Sequence, residues 1–371
     1  MSGKVKKRTL INDIATHLDI SIATVSLVLN GKAKQSRISD ALAQRVLTYV
    51  GEVGYKPNQL AKSLRTGKTH VIGLIVEDIS NPFFATVAWL IEKQAFARGY
   101  RIIYCSTDND TEKTRELIAM FQERHVDGYI IVPSGGIEEE ISAILREQTP
   151  LVLFDRYLPG LSANSIVVDG AKGTYDATQH LLEQGFRNVA FVTTNSVQTQ
   201  MEARLEGYAR AMAERGLAQR VMRVTVTKES ATSIADIHAF IRDNRDCDAI
   251  IFSTNYLSIY GLEAISQLEL RIPQDLAVVS YDDHDLFRLY TPAITVIAQP
   301  VESIAKNVID LLLEELRHPG DKGLARNQSI VLSNLLIIRK SSIRSQDAAP
   351  KIRKRAGQRP QTGPEPGKAA R

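Results

Sequence analysis

The sequence predicts three parts in order: a small all-α head, a long α/β body built on two doubly wound parallel sheets, and a disordered basic tail. Three observations predict it. In the first 55 residues, apolar positions recur at helical spacing behind capping residues. From Val71 onward, short apolar runs alternate with amphipathic stretches for roughly 270 residues, the pattern of strand–helix–strand units. The formal charge of +4 divides into +8 over residues 1–68, −12 over 69–338 and +8 over 339–371. A basic block can neutralise phosphates, whereas an acidic body is repelled by them.

In the head, Thr9 stands as N-cap before Leu10, Ile11, Ile14, Ala15 and Leu18. Ser21 caps a second short helix carrying Val25, Val28 and Leu29, and Asn30-Gly31 ends it. A third helix follows Ser39, with Leu42, Val46, Tyr49, Val50 and Val53, and stops at Gly54. Two short helices joined by Leu18-Asp19-Ile20 and braced by a third make a helix-turn-helix, whose second helix enters the major groove. Its solvent side carries Ala23, Leu27 and Asn30. Leu27 is expected to be exposed, where it can touch a thymine methyl, although one more core leucine is the plainer alternative. Ile22, at the helix tip, suits either role. Ser21, Thr24 and Asn30 suit phosphate contacts, or serve only as cap and stop.

In the body, strands are expected at 71–76, 101–105, 128–132, 151–154, 189–193, 249–252 and 276–281. Helices are expected at 82–98, 111–125, 138–148, 171–184, 198–215, 255–268 and 301–317. Ligands of such sheets bind beyond the carboxyl ends of the strands. The polar residues there are Asp78–Asn81, Ser134, Asp155-Arg156, Asn195, Asn255 and Asp282-Asp283.

The segments DIA (13–15), SIATVSLVLNG (21–31), GYKPNQLAKSLRTGKT (54–69) and IGLIVEDISNPFF (72–84) resemble the LacI/GalR family of bacterial transcription regulators. The resemblance spans residues 8–340. It implies a DNA-binding domain over 1–57, a hinge helix and linker over 58–69, and an effector-binding, dimerising body over 70–340. That body is similar to the two-lobed periplasmic sugar-binding fold. Its first lobe would hold 70–167 and 299–328, its second 168–298 and 329–340, with crossovers near 167–169, 298–299 and 328–329. Residues 341–371 would form the tail, where Pro and Gly are frequent and apolar residues scarce. Thr9, Ser21, Ile22, Ala23, Thr24, Leu27, Asn30, Tyr55 and Leu64 are the implied DNA contacts, with Leu64 wedged into the minor groove. Two departures matter. Leu18-Asp19 replaces the family's usual Ala-Gly in the turn, and Asp tolerates a left-handed backbone. Leu27 replaces a frequent Arg, so a bidentate guanine contact is missing.

For the cleft, the resemblance implies Asp155, Arg204, Asn255 and Asp282 as effector ligands, Phe83 and Phe84 as walls, and Gln299 at a crossover. Such a set gives paired donors and acceptors for hydroxyls beside an apolar surface. Arg204 could instead meet a carboxylate or phosphate on the ligand, or form a salt bridge with Asp282. No aromatic residue occurs over 224–230, where many members stack one on the ligand, and Tyr256 follows Asn255 where Asp is usual.

The length of 371 residues, 44% hydrophobic and 24% charged, fits a soluble globular protein. No run of 18 apolar residues offers a membrane span. The basic start, Met1–Arg8, leads into no apolar stretch, which argues against secretion. Cys105 and Cys247 form no CxxC pair, which fits a reducing cytoplasm. Neither a P-loop nor a GxSxG, HExxH or GxGxxG motif occurs. Asp282, Asp283, His284 and Asp285 suggest at most a solvated turn rather than catalysis. The expectation is a cytoplasmic, nucleoid-associated homodimer without cofactor, metal or membrane partner. It binds operator DNA under control of a small polar effector, a sugar or sugar derivative. A solute-binding protein or an enzyme on the same fold are the alternatives, and the basic head speaks against both.

Overall fold

The computed structural model describes residues 9–55, 67–226, 230–318 and 328–344. They fall into two compact units, the first holding the helical head and the second both sheets.

The head consists of α1 (Ile11–Leu18), α2 (Ile22–Leu29) and α3 (Asp40–Glu52). Ile14, Ala15, Leu18, Val25, Val28 and Val46 form its buried core. Thr9 is not the cap of α1. That position is Leu10, whose backbone N–H is held by the Asp13 carboxylate at 2.8 Å, so an acidic third residue replaces the missing capping hydroxyl. Asp19 ends α1 at φ 53°, ψ 50°, the left-handed turn expected of it. Ser21 caps α2 through the Thr24 N–H at 3.0 Å, and Ser39 caps α3 through the Leu42 N–H at 3.3 Å. His17 stacks on Tyr49 with ring centroids 4.1 Å apart, fastening α1 to α3.

The first sheet of the body contains β1 (Val71–Val76), β2 (Arg101–Ser106), β3 (Gly128–Ile131), β4 (Leu151–Phe154) and β5 (Asn164–Val168). The helices between its strands are α4 (Pro82–Ala97), α5 (Thr111–Glu123) and α6 (Glu138–Arg146). The second sheet follows α7 (Gly170–Glu183). It contains β6 (Val189–Thr194), β7 (Arg220–Val224), β8 (Ala249–Phe252), β9 (Ala277–Tyr281) and β10 (Thr295–Ala298). Between these lie α8 (Thr199–Glu214), α9 (Ser230–Asp243), α10 (Asn255–Gln267) and the short α11 (Asp285–Leu289). Then α12 (Val301–Arg317) returns to pack on α4, burying Ile304, Val308, Leu312 and Leu316 in the first core. β11 (Ser329–Leu332) and β12 (Leu335–Ile337) finish the two sheets. Their strand orders are β11-β5-β4-β3-β1-β2 and β12-β10-β9-β8-β6-β7.

Three differences from the sequence-based expectation have physical causes. The third crossover does not lie at 328–329. Ser329–Leu332 pairs in register with Ser165–Val168, so the chain crosses at Ser333-Asn334. The second sheet is not wholly parallel, because β12 runs antiparallel to β10. A two-residue link leaves β11 at the carboxyl end of one sheet and enters the other at the same end, so β12 must run backwards. The tail does not begin at Ser341. Both Ser341 and Ser342 are fully buried in a 3-10 turn, and their hydroxyls satisfy interior backbone and side-chain groups. Residues 345–371 lie outside the described residues.

Gly207 decides how closely α7 and α8 approach. A Cβ there would sit 2.0 Å from the Ala171 carbonyl oxygen and 2.5 Å from Thr174 Oγ1. Across the same contact Thr174 Oγ1 donates to the Arg204 carbonyl at 2.7 Å, fixing the turn of α8 that carries Arg204.

Candidate functional sites

Strand ends of both sheets deliver polar side chains to one cleft. Asp155 follows β4 and Asp282 follows β9, each at a left-handed backbone position, φ 69° and 66°. Both are buried. The Asp155 carboxylate accepts from Arg156 Nε at 3.0 Å and from Gln200 Nε2 at 3.3 Å. Arg156 itself is buried, paired with Glu77 at the end of β1 and bonded to Asn109 at 2.9 Å. Burial works against its charge, and Asp155 and Glu77 more than compensate, so its pKa rises.

Arg204 lies on α8. Its Nη1 donates to the Ser253 carbonyl at 2.7 Å, and its guanidinium lies 3.6 Å from the Tyr281 ring centroid. Its Nε is buried with no hydrogen-bond partner, and so is Gln200 Oε1. A salt bridge to Asp282 is not among the ion pairs of the described residues; Asp282 instead accepts from Gln299 Nε2 at 2.6 Å. Burial pushes the Asp282 carboxyl above its ordinary range, while Arg204 and Gln299 pull the other way. Asn255, in the first turn of α10, donates to Asn81 Oδ1 on the first lobe at 2.9 Å.

The structure thus gathers Asp155, Arg204, Asn255, Asp282 and Gln299 around the same strand ends. Phe83 and Phe84 stand differently. Both are buried in the first core, where Phe84 meets Phe154 edge-on at 6.3 Å. Ser134 bonds back to Thr114 and Asp283 is held by Arg339 at 2.8 and 2.9 Å, so these two are structural. His284 caps α11 by accepting from the Leu286 N–H at 2.9 Å. Gln198 and Gln200 were missed by the sequence reading. They sit at the start of a helix rather than at a strand end, and only the partners they find on the other lobe mark them.

On the head, Ser21, Ile22, Ala23 and Asn30 are exposed, and Ile22 shows 47% of its surface. Leu27 is half-buried, less open than its phase implied. Thr9, Thr24 and Tyr55 are also half-buried, the last against the head core. Ser21 and Thr24 hydroxyls bond each other at 2.8 Å, and the Asn30 amide turns back to the Ser26 carbonyl at 2.7 Å. Leu64 lies outside the described residues.

Comparison with known proteins bears on both sites. Residues 10–58 match the description "Bacterial regulatory proteins, lacI family", and residues 178–342 match "Periplasmic binding protein-like domain". The HTH-type transcriptional regulator DegA of Bacillus subtilis is 30% identical over 341 residues, covering 90% of this chain and 98% of the relative. The HTH-type transcriptional repressor PurR of Aliivibrio fischeri is 29% identical over 83% of this chain and 91% of its own length. The ribose operon repressor of Haemophilus influenzae is 28% identical, covering 89% and 98%. Among solved structures, a periplasmic binding protein/LacI transcriptional regulator from Alkaliphilus metalliredigens, complexed with D-xylulofuranose, superposes with a TM-score of 0.66 at 25% identity. That likeness covers 74% of this chain and all of the neighbour. The lac repressor dimer bound to operator shares the fold with a TM-score of 0.76 at 19% identity, over 91% of this chain and 100% of that one.

Proposed function

Because the chain belongs to the LacI family of bacterial regulatory proteins, we propose that it is a transcriptional repressor whose operator affinity is set by a sugar or sugar derivative bound between the two lobes. The observation that carries this reading is the convergence of Asp155, Arg204, Asn255 and Asp282, from strand ends and helices of both lobes, on one cleft. Such side chains offer paired donors and acceptors to the hydroxyls of a polar ligand. The ribose operon repressor relative and the xylulose-bound neighbour support a sugar.

The head, residues 1–57, reads operator DNA, with 58–69 joining it to the body. The protein acts as a cytoplasmic, nucleoid-associated homodimer. Its apolar contact surface is offered by α4 and the edge strand β2, where Trp89, Phe96 and Tyr104 are 58%, 56% and 55% exposed. Ligand control requires that the effector prefer one arrangement of the lobes over another.

The test is calorimetric titration of the full chain against sugars, sugar phosphates and nucleobases, followed by operator-binding anisotropy with each ligand found. Binding of a sugar that shifts operator affinity is the expected result; silence from every sugar removes the effector assignment.

A further inference from the structure

The second lobe holds a cavity away from the cleft. Its volume is about 260 Å³, and it lies at the amino-terminal ends of β6 and β8, between the last turn of α9 and the end of α10. Asn255 and Asp282 follow the carboxyl ends of β8 and β9, so the cleft and this cavity are at opposite ends of one sheet. The cavity floor is apolar. Phe240 and Ile241 come from α9, Ile250 from β8, Leu268 from the end of α10, and Leu276 precedes β9. Ile241, Ile250 and Leu276 belong to the buried core of the lobe, so the floor is fixed by packing. A dry cavity of roughly 150 Å³ with walls of this kind holds benzene. This one has room for a side chain the size of leucine or phenylalanine.

The rim is charged, and most of its charge is already paired. Arg242 meets Asp243 at 2.8 Å, and Asp275 meets Arg271 at 2.8 Å. Arg245 and Glu269 are different. Arg245 makes one long bond, from Nε to the Arg242 carbonyl at 3.4 Å, and no ion pair among the described residues. The Glu269 carboxylate has no partner among the described residues. Both residues are exposed and line the same cavity, yet they do not pair with each other. One cation and one anion held apart over an apolar floor match a molecule that carries both charges and an apolar body. A simple carboxylic acid would meet Arg245 but set a like charge beside Glu269; a simple amine would do the reverse.

We propose that this cavity is a second ligand site, separate from the cleft, that takes a free amino acid with a large apolar side chain. Arg245 receives the carboxylate, Glu269 the ammonium, and the side chain lies on Phe240 and Leu268. Exposed charge pairs add little and the apolar side chain supplies most of the attraction, so affinity of about millimolar is expected. The experiment is ligand-observed NMR titration of the full-length protein at neutral pH with L-leucine, L-methionine and L-phenylalanine, each beside its amide and its N-acetyl derivative. At least one amino acid is expected to bind, with both blocked analogues weaker by about threefold or more. Cys247 also lines the cavity, whereas Cys105 lies on β2 of the other sheet. The bound amino acid should therefore slow the reaction of Cys247 with N-ethylmaleimide in proportion to occupancy and leave Cys105 unchanged, as read by peptide mass spectrometry. Silence from all three amino acids overturns the proposal. So does binding that leaves Cys247 unprotected, or blocked analogues that bind as tightly as their parents.

Discussion

Gln200 Nε2 lies 3.3 Å from Asp155 Oδ2, and the two residues belong to different lobes. Two further contacts span the same gap, Gln198 Nε2 to Asn109 Oδ1 at 3.1 Å and Asn255 Nδ2 to Asn81 Oδ1 at 2.9 Å. Each such bond is worth about 1 kcal/mol net. Three of them amount to about 3 kcal/mol, less than the ~8 kcal/mol of a micromolar ligand. Lobe closure is therefore an equilibrium that a ligand with unequal preference can move.

Replacing Gln200→Leu removes one of these links and the unpaired acceptor at once. Effector affinity should fall by about tenfold or more, the loss expected when a buried polar partner disappears. Calorimetry with whichever sugar binds the parent protein reads this directly, and unchanged affinity would take Gln200 out of the site.

Gly207→Ala should destabilise the body. The added methyl meets a backbone oxygen at 2.0 Å, which no rotamer change relieves, so α7 and α8 must separate. Overpacking of this kind costs about 1–3 kcal/mol or more. A melting transition lower by several degrees is the expected result. Sugar affinity should drop as well, since the same turn of α8 carries Arg204. A variant that melts with the parent would show that the helices part freely.

The contrast between Gly207 and Gln200 shows what could be read in advance. Helical phase located the head core, and alternation of strands and helices located seven strands; β5, β7, β10, β11, β12 and the helix α9 were not expected. Asp155, Arg204, Asn255 and Asp282 were legible because the family pattern marks their positions. Gln200 was not, because nothing local distinguishes a glutamine that crosses a cleft from one facing water. Phe83 and Phe84 were read as cleft walls, yet they are buried in the first core, where apolar side chains gain most from burial. Residues 329–332 were expected in the second lobe, and their register with β5 puts them in the first.

Ile22 and Leu27 separate DNA reading from head stability. Ile22 is 47% exposed at the tip of α2, whereas Leu27 is half-buried. Ile22→Ala should weaken specific operator binding by about tenfold, the loss of apolar contact from a few carbon groups at ~0.8 kcal/mol each, and leave the head's melting unchanged. Non-specific binding, set by phosphate charges, should keep its salt slope. Anisotropy with operator and with random duplex distinguishes the two; equal loss on both would place Ile22 outside base readout.

The second lobe should lose stability in acid through His180. Its ring is buried, Nε2 lies 2.8 Å from Ser342 Oγ, and burial lowers its pKa below the usual 6.5. A depressed histidine pKa means that the unfolded chain binds the proton more readily. The stabilisation is complete above about 6.5, the unfolded value, and is lost as pH falls through it toward the folded value. Urea midpoints should therefore decline as pH falls from neutral through about 6.5, and His180→Gln should flatten that decline. A parent and variant with the same acid limb would assign the effect elsewhere.

Ser341 and Ser342 tie the chain after β12 into the second lobe. Ser341 Oγ donates to the Val278 carbonyl at 2.7 Å and accepts the Thr295 N–H at 2.7 Å, so it bridges β9 and β10 at their amino-terminal ends. Ser342 Oγ joins Thr295 Oγ1 at 2.6 Å to His180. Arg344 lies over the Phe186 ring at 4.6 Å and donates to the Gly185 carbonyl at 3.0 Å. None of these residues is apolar enough to be recognised as core by hydropathy, except that burial leaves their partners no water to turn to. A chain ended after Arg339 strands the Thr295 N–H and the His180 ring without their partners. It should melt well below the full-length protein and expose the second lobe to proteolysis. A chain ended after Arg344 keeps every one of these bonds and should melt with the parent. Limited proteolysis and calorimetry on the two truncations check both statements, and equal stability of the pair would show that the buried serines contribute nothing to the lobe.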